Sequence, residues 1–448
     1  MSTAFETLAR FMPTVEAPKT KNSLKEKFLW IVVVCTIYLF LGTIFVIGAA
    51  PDSYSQFELM QTLTASNIGT ILTLGIIPII DASILLQILL GMKFISIDTS
   101  TPKGAAQLGA LQKILAIFFA FLFSLIFVST GILKPMEGFP SFLLFFQVFL
   151  GAVIVIFLDE IVTKWGFGSG ISWFILLGVA EEVIYRGFNI FEGVGNIGDV
   201  IRYIGNLIGG NIGEYGLLLP IFFTLLVFAV VNFAQLMRIE VPLSYNQFAS
   251  GHSWKLKFIY TSNIPVIFAS IILAELGMVF NMISERSEGI VQSLFGGLHW
   301  AVSTPSSYGT SFIGHVLNGS ASLTMYLQAF SHVLLFVVLS VMMALLWVNM
   351  TAASTPAGVA SQIHKAGMSI GGFRRDPRII EARLNNYIPY LAAMGGAFVG
   401  LLAAFADLTG AYGGGTGILL AVMIVYQLYE YLIRNHPEDF LPLLRKKF

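Results

Sequence analysis

Gly75-Ile76-Ile77-Pro78-Ile79-Ile80 lies inside an apolar run at 71–91, and Ser262-Asn263-Ile264-Pro265-Val266-Ile267 lies inside another at 258–282. The two hexapeptides share an aliphatic frame around one proline. A second pair of motifs repeats at the same distance: Trp165-Gly166-Phe167-Gly168-Ser169-Gly170-Ile171 leads into a run at 170–188, and Gly413-Gly414-Gly415-Thr416-Gly417-Ile418 leads into one at 417–435. Runs of about 20 apolar residues can cross ~30 Å of hydrocarbon as helix. They fall at 28–49, 71–91, 110–131, 140–160, 170–188, 215–237, 258–282, 324–348, 387–409 and 417–435, which predicts ten spans. Each motif pair is five spans apart, and an odd offset reverses the direction of travel. The expected fold class is therefore an all-α polytopic membrane protein built as two inverted five-helix halves. Chance likeness of short apolar strings is the competing explanation.

Composition supports the membrane reading. Of 448 residues, 56% are hydrophobic and 11% charged, against about 25% charged in ordinary soluble domains, and the mean hydropathy is +0.81. Water-soluble enzymes and nucleic-acid readers are set aside on that ground. Lys plus Arg and Asp plus Glu balance at 25 each, so net charge names no partner. The single cysteine, Cys35, has no intrachain partner and reads as a small buried hydrophobe. The first run follows a lysine-bearing segment and is too long for a signal-peptide core, so it counts as a true span.

The expected organisation is a cytoplasmic amphipathic segment at 1–27, an N-terminal half at 28–188, an external loop at 189–214, a C-terminal half at 215–435 and a cytoplasmic tail at 436–448. Apart from Lys134, Arg186, Arg202 and Arg286, every Lys and Arg falls in the N-terminal segment, the tail or the loops on one side, which puts both termini in the cytoplasm. Pro78 and Pro265 each remove a backbone hydrogen bond within a predicted span and are expected to mark bends. Ser23-x-x-Glu26 is a capping box that should start an amphipathic helix. The amphipathic stretch Phe57 to Ser66 is too short to span, and fits either a re-entrant segment or a surface-lying loop.

Two chemical readings compete with a passive membrane protein. Glu181-Glu182-Val183-Ile184-Tyr185-Arg186 fits the Glu-Glu-x-x-x-Arg signature of intramembrane CAAX-type proteases, and Phe295-x-x-x-His299 fits their second motif, but the third is missing. The alternative for Glu182 and Arg186 is an i, i+4 ion pair. A secondary transporter would carry charged or coordinating groups between its repeats, where only Asp81 and Asn263 stand out. No string for zinc hydrolysis, a serine triad or a nucleotide loop occurs. No catalytic residue, metal or cofactor is expected.

Further motifs carry a resemblance: Lys25-Glu26-Lys27; Thr64-Ala65-Ser66 with Ile68-Gly69-Thr70 and Leu74-Gly75-Ile76; Gln112-Lys113; Leu158-Asp159-Glu160-Ile161-Val162 with Gly168-Ser169-Gly170-Ile171. Then follow Met237-Arg238-Ile239-Glu240-Val241-Pro242-Leu243, Tyr260-Thr261-Ser262-Asn263-Ile264-Pro265, Gly371-Gly372-Phe373-Arg374, Tyr387-Ile388-Pro389, Phe405-Ala406-Asp407 and Gly414-Gly415-Thr416-Gly417. In this order on ten spans the chain resembles the SecY family, the channel subunit of the Sec protein translocon, in its archaeal and eukaryotic branch.

The resemblance implies a channel in the plasma membrane that passes unfolded polypeptide and opens sideways to lipid between spans 2 and 3 and spans 7 and 8. It implies a pore ring of Ile76, Ile80, Ile171, Ile175, Ile267 and Leu420, where aliphatic side chains exclude water by dewetting. It makes Phe57, Leu59, Met60 and Leu63, within about 53–67, a plug. It assigns Asp81, Gln87, Asn263, Pro78 and Pro265 to the lateral gate; the sequence departs from some relatives in having Phe123 where they carry an acid, with Asp81 in its stead. Arg238, Lys255, Lys257, Arg374, Arg375 and Arg378 would meet ribosomal RNA, weakly after span 6 because Ser244 to Gly251 has no basic residue. Implied partners are small membrane subunits of the SecE and SecG/Sec-beta types, the translating ribosome, signal peptides with nascent chains, and the lipid bilayer.

Overall fold

The computed structural model describes residues 13–20, 22–50, 66–91, 94–95, 97, 101–190, 197–208, 215–245, 249–261, 264–305, 311–350, 355–365 and 377–435. Phe57, Leu59, Met60 and Leu63 of the expected plug, Asn263 of the expected gate, and Arg374 and Arg375 lie outside the described residues, as does the side chain of Lys255. The helices are α1 (Leu24–Thr43), α2 (Ile77–Gly91), α3 (Pro102–Ser129), α4 (Ser141–Trp165), α5 (Gly170–Phe188), α6 (Asp199–Ile208), α7 (Leu219–Leu236), α8 (Ile264–Arg286), α9 (Ile290–Val302), α10 (Phe312–Leu317), α11 (Leu323–Met350), α12 (Pro356–Lys365), α13 (Pro377–Asn385), α14 (Ile388–Thr409) and α15 (Gly414–Asn435). Between α7 and α8 stand strands β1 (Arg238–Tyr245) and β2 (Ala249–Lys257).

Seven of these helices, α3, α4, α7, α8, α11, α14 and α15, are long and apolar enough to cross a bilayer among the described residues. The other three predicted spans also hold helices. α1 has 20 residues and α5 has 19, but each carries charges, and α2 has only 15. At 1.5 Å per residue α2 is about 22 Å long, short of the hydrocarbon thickness.

The prediction of bends at the two prolines is corrected. Pro78 and Pro265 each stand second in their helix, α2 and α8. A first-turn residue has no intrahelical acceptor for its N–H in any case, so proline starts a helix there without kinking it. The two matched hexapeptides thus open two helices in the same way. The second motif pair does likewise: Gly168 (φ 77°) stands just before α5, while Gly413 (φ 79°) stands just before α15 and Gly414 (φ 60°) begins it. The capping box is present, with the Glu26 N–H donating to Ser23 Oγ at 3.3 Å and the Ser23 N–H to Glu26 Oε2 at 2.9 Å. It opens the first span itself instead of a separate amphipathic helix, because no glycine or proline interrupts the chain before Phe28.

The chain divides into two compact units. Unit 1 holds Met1–Ser83, Ala106–Leu218 and Tyr412–Phe448, and unit 2 holds Ile84–Ala105 and Leu219–Ala411. In unit 1, α5 packs against α1, α4, α6 and α15. Tyr38 of α1 stacks on Phe174 of α5 with ring centroids 4.3 Å apart. α3 meets α4 through aromatic rings, Phe121 standing edge-on to Phe145 at 5.3 Å and to Phe149 at 6.0 Å.

In unit 2 the most extensive helix pairing among the described residues is α11 with α14, where small residues let the backbones approach. A Cβ on Gly400 would lie 2.8 Å from Ser340 Cβ, and one on Gly396 would lie 2.8 Å from Ala344 Cβ. Gly400→Leu is therefore expected to lower the stability of the detergent-purified protein by about 1–3 kcal/mol or more, the range for overpacking. Gly297→Ala, where a Cβ meets nothing within 4 Å, should leave the unfolding midpoint close to wild type.

A second cluster in unit 2 joins segments that sequence reading treats as separate loops. Leu256, Val348, Val359, Ala360, Ile363, Ile380, Leu384, Ile388, Leu391 and Ala392 form one buried core, with Ile239, Tyr260 and Tyr387 against it. The base of the hairpin, α12, α13 and the start of α14 share it.

Candidate functional site

The expected ring residues Ile76, Ile80, Ile171, Ile175 and Leu420 all belong to unit 1. Ile76 is 0% exposed, Ile80 2%, Ile175 1% and Leu420 1%, while Ile171 is half-buried. Ile267 stands on α8 in unit 2, half-buried. The first two sit at the end of an unusual segment. Residues 68–76 run without helix, although hydropathy places 71–76 within a span. Irregular backbone is tolerated there only when buried and hydrogen-bonded, and both conditions hold. Residues 68–82 are buried apart from half-buried Ile71. The N–H of Ile71 donates to Ile44 O at 2.9 Å, that of Val46 to Gly69 O at 2.9 Å, and those of Thr73, Gly75 and Ile77 to carbonyls three residues back. Gly69 (φ 93°) and Gly75 (φ 49°) supply the left-handed turns. Thr70 Oγ1 donates to Asn67 O at 2.7 Å, and Thr73 Oγ1 accepts from Gly69 N at 3.2 Å. The helix starts only at Ile77, so Ile76 and Ile80 straddle the junction between a tied-down coil and a helix.

α5 presents Ile171 and Ile175 one turn apart on one face, and its start is held by α4. Asp159 Oδ1 accepts from Ile171 N at 3.0 Å, and the carboxylate also accepts from Gly170 N. Ser169 Oγ caps the same turn, accepting from Ser172 N at 3.2 Å. A negative side chain at a helix N-terminus satisfies orphan donors and complements the helix dipole. The approach is close enough that a Cβ on Gly170 would fall 2.6 Å from Asp159 Cα. The sequence alone gives Asp159 no role; the signal it offers is an acid nine positions before a Gly-Ser-Gly helix start.

Asp81, next to Ile80, is 9% exposed on α2. Gln87 lies two turns on, its Oε1 buried with no partner in the chain among the described residues. In unit 2, His332 of α11 is 5% exposed, its Nδ1 lies 2.7 Å from Val302 O, and its Nε2 is 3.8 Å from Asp407 Oδ2. Nothing in sequence spacing links these three.

The pairing of β1 with β2 sets Arg238 opposite Lys257 and Glu240 opposite Lys255. Directly opposed residues share a face of an antiparallel pair, so three cationic positions and one acid lie on one face at the hairpin's base. Arg378 and Arg383 are exposed on α13. Glu182 of the protease-like signature pairs with Arg186 at 3.1 Å, and His299 Nδ1 lies 3.0 Å from Gly277 O. Both are engaged as structural contacts.

The family model of SecY matches residues 70–429. The protein translocase subunit SecY of Methanothermobacter thermautotrophicus is 37% identical over 455 residues, covering 98% of this chain and 97% of that protein. A solved structure of a protein-conducting channel superimposes with a TM-score of 0.82 at 35% identity, covering 97% of this chain and 98% of that one. Sec61 in the canine ribosome–channel complex from the endoplasmic reticulum gives a TM-score of 0.78 at 34% identity, with 97% and 98% covered.

Proposed function

The chain belongs to the SecY family, and from that premise we infer that it is the protein-conducting subunit of a translocase, passing unfolded polypeptide through its centre and releasing apolar segments sideways into lipid. It is a multi-pass membrane protein with the ten-helix fold of the channel structures, and it is not an enzyme. Neither the protease nor the transporter reading is supported. The carrying observation is the buried aliphatic set Ile76, Ile80, Ile175 and Leu420 within one unit, preceded by a buried coil held by backbone and threonine hydrogen bonds.

In this reading those four residues, with Ile171 and Ile267, form the water-excluding ring, and Phe57, Leu59, Met60 and Leu63 belong to the plug. Asp81, Gln87 and Asn263 line the lateral gate, with Pro78 and Pro265 fixing where its helices begin. The membrane is the plasma membrane, with both termini cytoplasmic because the basic residues gather on that side. The partners are SecE-type and SecG/Sec-beta-type subunits, signal peptides and a translating ribosome. A crosslinker placed at Ile80 should capture a secretory nascent chain during translation; capture at exposed Phe118 but not at Ile80 would refute the central pore.

The ribosome reading rests on cations set on a folded platform. Arg238 and Lys257 sit at a hairpin base whose Leu256 is part of the same core as α13, which carries Arg378. Charge reversal at Arg238 and Lys257, and separately at Arg374 and Arg375, is expected to weaken ribosome binding and lower its salt dependence, because fewer counterions are released. The smaller effect is expected at the hairpin, where Glu240 shares the face. Identical binding of wild type and variants across a salt titration would leave these residues as topology signals only.

A further inference from the structure

A charged cluster in unit 1 ties α3 to α4 and to an extended segment preceding α1. Glu160 of α4 takes Lys113 Nζ of α3 at 2.6 Å on one oxygen and Lys164 Nζ at 2.8 Å on the other. The side chains of Lys113 and Glu160 are 11% and 16% exposed. Each lysine has a further proton committed to the same extended segment: Lys113 donates to Pro13 O, and Lys164 to Val15 O. The Val15 N–H donates to Glu160 in return. Trp165 Nε1 donates to Glu16 O at 2.9 Å, and Lys113 lies 4.5 Å over the Phe157 ring. Pro13, Val15 and Glu16 thus place backbone groups on side chains 100 to 149 positions away, as a bound peptide would.

One residue before Lys113, Gln112 Nε2 donates to Ser83 Oγ of α2 at 2.7 Å. Successive helical residues point about 100° apart, so Gln112 faces α2 while Lys113 faces α4. α3 is otherwise joined to α4 by phenylalanine rings, which can slide; directed, charge-assisted bonds fix its position.

We propose that Gln112 and Lys113 are positioning residues of the lateral gate, and that residues 13–16 are a strap that locks α3 to α4 while the gate is shut. This rests on the reading of α2 and α3 as one lip of that gate. The bonds are cooperative, because both lysines and the strap converge on one carboxylate, so loss of one member loosens the rest. Moving α3 away separates Lys113 from Glu160 and Pro13 together, and the strap then has one anchor fewer. Through Gln112 and Ser83 the release reaches α2.

The test uses the whole channel complex in planar bilayers and proteoliposomes. Lys113→Met, which keeps most of the length of the side chain and drops the charge, should open roughly fivefold to tenfold more often and pass less hydrophobic signal sequences. Lys113→Arg should restore openings to within about twofold of wild type, since it can still pair with Glu160. Glu160→Gln should resemble Lys113→Met. A folded Lys113→Met variant with wild-type opening and threshold would overturn the strap, as would recovery of neither Lys113→Met nor Glu160→Gln as folded protein, which would make the cluster a folding element only. The Ile80→Gly, Ile175→Gly channel serves as the control: if it leaks while Lys113→Met is silent, the strap fails and the channel reading stands, and if it does not leak, the ring assignment fails and the strap is judged on the Lys113 and Glu160 variants alone.

Discussion

Ile80→Gly combined with Ile175→Gly should raise the ion conductance of the resting channel by about tenfold or more. Each isoleucine is almost wholly buried, and burying such a side chain contributes about 1.5–3 kcal/mol relative to exposure. Every ~1.4 kcal/mol is a factor of ten in an equilibrium, so committing even part of that term to keeping water out gives the predicted leak. Glycine also costs a helix roughly 1 kcal/mol relative to alanine, and Ile175 lies inside α5. The alanine pair, which leaves a void smaller by one methyl group per site but has better helix propensity, separates the two effects and should leak nearly as much. Folded variants that conduct like wild type in planar bilayers would return these isoleucines to ordinary core packing.

What the sequence reveals follows from how each feature is encoded. Span positions and the two matched motif pairs are legible because apolar length and glycine-proline punctuation are local. The start of α2 is not, since residues 68–76 are as apolar as a helix and only the positive φ of Gly69 and Gly75, with the threonine bonds, show that the chain is coiled there. The hairpin escaped because Arg238 to Lys257 has mixed polarity; its base is organised by Leu256 packing with residues of α12 and α13, a hundred and more positions away. The ion pair of Glu182 with Arg186 was written in the i, i+4 spacing, whereas Lys113 with Glu160 is 47 positions apart and the strap farther still. Long-range polar contacts leave no period in a sequence, and the positioning residues belong to that class.

Asp159→Ala should damage both stability and closure, and the two readouts together test how the ring is held. The substitution removes the acceptor for the N–H groups of Ile171 and Gly170. Loss of an N-cap acceptor costs about 0.5–2 kcal/mol, and a charge at a partly buried helix N-terminus adds up to ~2 kcal/mol, so a loss of about 0.5–4 kcal/mol is expected. Ser169 remains as a weaker cap, which keeps the helix from unwinding altogether. The fraying is confined to the first turn, where Ile171 lies, whereas Ile175 stands one turn deeper and keeps its packing. Closure should therefore fail in part: conductance should rise, but less than in the double glycine channel. Asp159→Asn retains a carbonyl acceptor and loses only the charge, so it should fall between wild type and alanine on both scales. A large stability loss with wild-type conductance would mean that Ile171 is not part of the seal, and no change in either would mean that Ser169 alone suffices to start α5.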